Sequence, residues 1–114
     1  MRIANKNLVE TNNLSASFNS DPVYLDHMEG FSFEVDVTTP DANGTFKIQT
    51  SNNKTNWIDY PSSSELLSGA DKNIMYNVSS VYFRYARLVY TRTSGGGSPT
   101  VCKVYFQAKG PNAS

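Results

Sequence analysis

Val81-Tyr82-Phe83-Arg84-Tyr85-Ala86-Arg87-Leu88-Val89-Tyr90 and Thr100-Val101-Cys102-Lys103-Val104-Tyr105-Phe106-Gln107-Ala108-Lys109 are two runs rich in β-branched and aromatic residues. Between them lies Thr91-Arg92-Thr93-Ser94-Gly95-Gly96-Gly97-Ser98-Pro99, a Gly/Ser/Pro break. Two such runs around such a break predict a hairpin with a long loop. The first run is apolar on both sides. With period two, Tyr82, Ala86, Leu88 and Tyr90 share one side, and Phe83, Tyr85 and Val89 the other. A half-exposed strand alternates more cleanly. This strand is therefore either covered on both faces inside the domain or covered on one by another chain.

Working outward, the clearest alternation is Phe31, Phe33, Val35 and Val37 against Ser32, Glu34, Asp36 and Thr38, the pattern of a strand with one buried face. Asn43-Gly44 follows and predicts a tight turn. Phe46 and Ile48 then alternate with Lys47 and Gln49. If these two strands pair, Lys47 faces Glu34 or Asp36, a contact worth about 0.2–1 kcal/mol. Ile74, Tyr76 and Val78 alternate further on, and Leu14, Ala16 and Phe18 do so earlier. Asp21-Pro22 breaks the chain before Val23, and Pro61 ends the short Trp57–Tyr60 segment. Turn signals recur at short intervals, with no helical period of useful length. The expected fold is all-β: an antiparallel β-sandwich, jelly-roll-like, of seven or eight strands. Residues 1–12 are polar and aperiodic, and read as a flexible arm or a lead-in strand. Residues 13–110 form the sandwich, and 111–114 a disordered tail.

Composition narrows function. The 114 residues carry ten Lys and Arg against ten Asp and Glu, scattered along the chain. No basic patch is laid out for nucleic acid, and no segment is apolar enough for membrane insertion. Nor does an apolar signal-peptide core follow Met1. The single cysteine, Cys102, forms no intramolecular disulfide and reads as a small buried residue. The sequons at Asn13, Asn43, Asn53, Asn77 and Asn112 read as chance in an Asn-rich chain.

Gly44-Thr45-Phe46-Lys47-Ile48-Gln49-Thr50-Ser51-Asn52-Asn53, Trp57-Ile58-Asp59-Tyr60-Pro61 and Arg84-Tyr85-Ala86-Arg87-Leu88-Val89-Tyr90-Thr91 carry a resemblance. With the Ser94–Gly97 loop and Ala108-Lys109-Gly110, their order resembles a family of small jelly-roll-like sandwiches. That family occurs as phage virion proteins and fibre-tip adhesion domains. The Arg-Tyr-x-Arg strand is distantly similar to discoidin-type sandwiches. Asn53 stands where the family has Asp. The resemblance implies a trimeric assembly, located in a virion or at an extracellular surface, and no catalytic residues.

The residues themselves offer no catalytic constellation, cofactor motif or metal-ligand spacing. Glu34 and Asp36 read as solvated charges. Asp21, Asp26, His27 and Glu29 gather in one loop region without ligand spacing. Two surfaces are expected. Trp57 and Tyr60, with Asn56 and Asp59, form a candidate carbohydrate site, in which an aromatic stacks on a sugar ring and polar groups bind its hydroxyls. Packing of Trp57 into the core is the competing reading. Phe83, Tyr85, Arg87 and Val89 form a candidate oligomer interface. The expected function is a non-enzymatic virion or fibre domain, for capsid decoration or adhesion. Its partners are its own copies in a homotrimer, a capsid or fibre protein, and a surface glycan. The alternative is a carbohydrate-binding module.

Overall fold

The computed structural model describes residues 2–38, 41–97 and 100–110; the expected tail at 111–114 lies outside them. Among these residues there are ten strands: β1 (Arg2–Asn12), β2 (Phe18–Asn19), β3 (Val23–Tyr24), β4 (Gly30–Thr38), β5 (Ala42–Ser51), β6 (Ile58–Asp59), β7 (Glu65–Ser68), β8 (Lys72–Val78), β9 (Tyr85–Gly95) and β10 (Val101–Gly110). One antiparallel sheet has the order β1-β10-β4-β8. The other is built on the β9–β5 pair. β2 and β3 lie in line along the free edge of β9, and β6 and β7 along that of β5.

The count rises from the expected seven or eight to ten because two edge strands are interrupted. Pro22 lies between β2 and β3, and Pro61 between β6 and β7, where a missing N–H ends pairing. Taking each interrupted pair as one strand leaves two four-stranded sheets. Most connections then cross from one sheet to the other, the jelly-roll arrangement.

Both expected hairpins are corrected by this topology. β4 pairs with β10 and β8, while β5 pairs with β9, β6 and β7, so the chain changes sheets between β4 and β5. Asn43 and Gly44 are no turn; they lie inside β5, at a register shift against β9. Gly44 is there for space. A Cβ on it would lie 2.5 Å from the Thr91 carbonyl oxygen and 2.5 Å from the hydroxyl of Tyr90. The β9 and β10 runs do not pair with each other either. Each is central to a different sheet, and the glycine break carries the chain across the end of the sandwich. Gly96 takes φ of 100° there, donating to the Asp41 carbonyl while Gly97 donates to that of Asn13 at 2.7 Å.

Of the two readings of residues 1–12, the flexible arm is corrected, and residues 2–12 form the lead-in strand. β1 pairs along β10 from Arg2 opposite Gly110 to Asn12 opposite Cys102, with two irregularities in register. A polar strand with little alternation carries no sequence sign of its pairing; β10 supplies the ladder of hydrogen bonds.

The core lies between the sheets. Phe31, Phe33, Val35 and Val37 point in from β4, Phe46 and Ile48 from β5, and Ala86, Leu88 and Tyr90 from β9, all buried as the alternation predicts. Fully burying one large apolar side chain contributes roughly 1.5–3 kcal/mol. Phe33 meets Phe31 edge-on at 5.5 Å and Phe106 at 5.6 Å; Tyr90 packs on Phe46 at 4.7 Å. The face assignment fails at one end of the first run. β9 begins at Tyr85, so Tyr82 and Phe83 precede the strand and escape its period. Phe83 packs inward, edge-on to Phe31 at 6.0 Å and to Tyr60 at 6.1 Å, while Tyr82 is 90% exposed.

Candidate functional site on the outer face of the β9–β5 sheet

Lys47 and Gln49 alternate with the buried Phe46 and Ile48, and so project from the outside of β5. Tyr85, Arg87 and Val89 project from the outside of β9, with Gln49 opposite Arg87 and Lys47 opposite Val89. β6 places Asp59 opposite Gln49 on the other side. The register builds a chain of contacts. Arg87 donates through Nε at 2.9 Å and Nη2 at 2.7 Å to Gln49 Oε1. Gln49 Nε2 donates to Asp59 Oδ1 at 2.9 Å, and Lys47 Nζ to Asp59 Oδ2 at 3.1 Å.

The loop from Asn52 to Trp57 completes the face. Ser51 Oγ accepts from the N–H groups of Asn53 and Lys54, and Asn53 Oδ1 from those of Thr55 and Asn56. These local bonds curl the backbone tightly. Lys54 takes φ of 64° and its carbonyl accepts the indole N–H of Trp57 at 3.2 Å. The Trp57 ring is thereby set against the Arg87 guanidinium, whose central carbon lies 4.2 Å from the ring centroid. Such a cation–π contact is worth about 0.5–1 kcal/mol at an exposed site. The row continues past Arg87. Lys54 Nζ lies 5.1 Å from the Tyr85 ring, Tyr85 packs against Tyr24 at 5.4 Å, and the Tyr24 hydroxyl donates to Asp26 at 2.7 Å.

Of the expected carbohydrate residues, Trp57 and Asp59 share this face. Tyr60 does not: its ring turns to the core side and meets Phe83. Asn56 is exposed on the loop, bonded through its backbone N–H. Of the expected interface residues, Tyr85 and Arg87 are half-buried on the outer face. Val89 is 7% exposed, covered within the subunit and flanked in register by Lys47 and Asn19, and Phe83 packs inward. The apolar centre expected of an interface is therefore taken up by the chain itself. Lys47 finds Asp59, and neither Glu34 nor Asp36, because β4 is in the other sheet. Gln49, Lys54 and Tyr24 are the residues sequence reasoning missed. Alternation sets Gln49 outward, but only the β5–β9 register shows that it meets Arg87.

Hydrogen bonds from Gln49 and then Lys47 lower the Asp59 carboxyl below its ordinary range, so it stays ionised at neutral pH. The Tyr24 hydroxyl is pushed up, first by its bond to Asp26. Cys102 is fully buried and its thiol is pushed up to about 12 by that burial, leaving scarcely any thiolate. His27 is exposed, 3.8 Å from Asp26, and among the described residues no group of three potential ligands gathers for a metal. Among them also, no helix is long and apolar enough to cross a membrane.

Residues 25–110 match the family described as Domain of unknown function (DUF6385). The chain belongs to that family. No curated protein matches it. Its fold is similar to the SPBc2 prophage-derived protein YomS, with a TM-score of 0.62 at 8% identity, over 94% of this chain and 92% of that one. It is similar also to the PBSX exported protein XepA, with a TM-score of 0.67 at 15% identity. That match takes in 97% of this chain but only 38% of XepA, so the chain spans well under half the length of that protein. At these identities the likeness is one of fold: two antiparallel sheets packed as a sandwich. The matched segment holds β4 to β10 and thus every residue of the outer face described above except Asn19 and Tyr24.

Proposed function

We propose that the chain is a non-enzymatic structural or adhesion domain of a phage particle or phage-derived surface structure, and that it presents the Trp57–Arg87 face to its partner. The observation that carries this reading is that the side chains of that face are already bonded to one another. Arg87, Gln49, Asp59 and Lys47 are joined by hydrogen bonds, and Trp57 is held by its own N–H and by the guanidinium stacked on it. A surface whose long side chains are already fixed loses little freedom on contact, which lowers the entropic cost of binding. The fold likeness to a prophage-derived protein and to an exported protein supports a phage setting. The reading does not use a homotrimer centred on Phe83 and Val89, because Phe83 packs inward and Val89 is already covered within the subunit.

The test has two parts. Phage particles from a strain that encodes the chain are purified on a density gradient and probed for it. The purified chain is then bound to cells of that strain, beside its Trp57→Ala and Arg87→Ala variants. Co-sedimentation with particles is expected, together with cell binding that falls about tenfold in either variant, as loss of one well-packed contact implies. A chain that sediments free of particles and leaves cells unbound refutes the reading.

A further inference from the structure

The outward face of the other sheet differs in kind. In one row across its four strands, Asn5 stands opposite Gln107, Gln107 opposite Ser32 and Ser32 opposite Asn77. In the next outward row Asn7 stands opposite Tyr105, Tyr105 opposite Glu34 and Glu34 opposite Met75. Three carboxamides and a hydroxyl thus line up beside an amide, an aromatic ring, a carboxyl and a thioether. Two cavities of about 330 Å³ and 230 Å³ open on this face. Ser32 and Gln107 line both of them, so the two hollows adjoin at this row on the outward face. At about 4.8 Å between strands, four strands span roughly 14 Å, room for a short run of sugar rings.

Hydrogen-bonding capacity separates the two faces. Around Arg87, the side chains of Gln49, Asp59 and Lys47 are bound to one another. Here, among the described residues, the side-chain amides of Gln107 and Asn77 take no hydrogen bond within the chain. A carboxamide offers both donors and an acceptor, and so does a sugar, whose hydroxyls each donate and accept. Tyr105, half-buried in mid-sheet, offers a ring edge or face for stacking. The charges are mixed and dispersed: Lys6 and Glu34 border one cavity and Lys109 the other. No cluster of cations is laid out for an acidic polymer, and no row of apolar anchors for a peptide.

We propose that this face binds a neutral oligosaccharide lying across β1, β10, β4 and β8, with Tyr105 as its stacking platform and the amides of Asn5, Gln107 and Asn77 bonded to its hydroxyls. The glycan contact expected at Trp57 is thereby moved to the opposite side of the sandwich, and the proposal stands independently of the Trp57–Arg87 reading.

The full chain, labelled with ¹⁵N, is titrated with cellohexaose, mannohexaose and chitohexaose, and with an oligogalacturonate as the acidic arm. A neutral probe is expected to shift the backbone amides of β10 and β4 and the side-chain amides of Gln107 and Asn77. Gln107→Ala and Asn77→Ala each weaken that binding about three- to tenfold, the effect of one net hydrogen bond. Both positions are exposed, so the variants keep the wild-type spectrum elsewhere. Trp57→Ala leaves the affinity unchanged, which separates this site from the face proposed for the particle's partner. The proposal is overturned if none of the neutral probes shifts these signals. It is also overturned if the oligogalacturonate alone binds, or if the shifts centre on Trp57 and Arg87.

Discussion

Gly44→Ala adds a single methyl group to the middle of a strand, where alanine is ordinarily no worse than glycine. Loss of glycine's freedom in the unfolded chain would by itself stabilise the protein by about 0.4–1 kcal/mol at a site with room. There is no room here. The new carbon would lie 2.5 Å from the Thr91 carbonyl oxygen, 2.5 Å from Tyr90 Oη and 2.6 Å from Tyr90 Cε1. Ordinary contacts fall at about 3.5–4.0 Å, so the overlap is roughly an ångström on two sides. One side is backbone of the neighbouring strand. The other is a ring fully buried between Phe46 and Phe18, at 4.7 Å and 5.9 Å. Neither side yields easily, which places the cost at the upper end of overpacking, about 3 kcal/mol. With a urea slope of about 1.5 kcal/mol/M, the unfolding midpoint should fall by about 2 M. Urea titration followed by Trp57 fluorescence measures it. Tyr90→Leu in the same background should recover part of the loss, so that the double variant is less destabilised than the sum of the singles. A Gly44→Ala midpoint equal to wild type, or strict additivity in the double variant, would refute the claim that the Tyr90 ring occupies the space above this glycine.

Phe33→Ala empties a fully buried site between Phe31 and Phe106 and should cost about 3–5 kcal/mol by chemical denaturation; a cost below about 1 kcal/mol would mean that β4 faces the other way. Cys102 should resist a disulfide reagent at mildly alkaline pH and react only in denaturant, since burial holds its thiol at about 12; rapid native-state labelling would show an open core. Glu34 is pushed above its ordinary value, first by a hydrogen bond with Asp36 and then by that group's charge. Its contribution to stability is full below the ordinary carboxylate value and is lost as pH rises through the raised one. Glu34→Gln should therefore flatten the decline in unfolding midpoint over that window, by no more than about 0.5 kcal/mol at a half-buried position screened by water, and an unchanged slope would show that the bond to Asp36 does not raise Glu34.

Alternation made the faces of the strands legible but not their partners. Phe31 to Val37, Phe46, Ile48, Ala86 and Leu88 are buried because period two is a property of one strand read alone. Pairing is a property of two. Asn43-Gly44 has the composition of a hairpin turn, yet its glycine answers to Tyr90, nearly fifty residues away, and nothing local carries that information. The Gly95–Gly97 break likewise has the composition of a hairpin loop and instead changes sheets. The site was legible to the same degree. That Trp57 and Asp59 lie together is legible because both stand beside one polar loop. Tyr60 was misplaced because its segment is too short for alternation to orient it. Gln49, the hub of the outer face, carries no signal until its neighbours across the sheet are known.

The position of β10 has a consequence for how the molecule is made. It is the last strand in chain order, yet it lies in the interior of its sheet, between β1 and β4. As the polypeptide emerges during synthesis, β1 has no neighbour to bond until β10 follows it. The β1 segment must wait, with its backbone groups bound only to water, for β10. Closing so long a loop is slow, and a ribosome that stops before Val101 releases a chain whose first strand has lost its pairing partner. Such a product should be a ready substrate for proteases. The fold thereby carries its own check on translation, in which β1 is tied down only when β10 has been delivered.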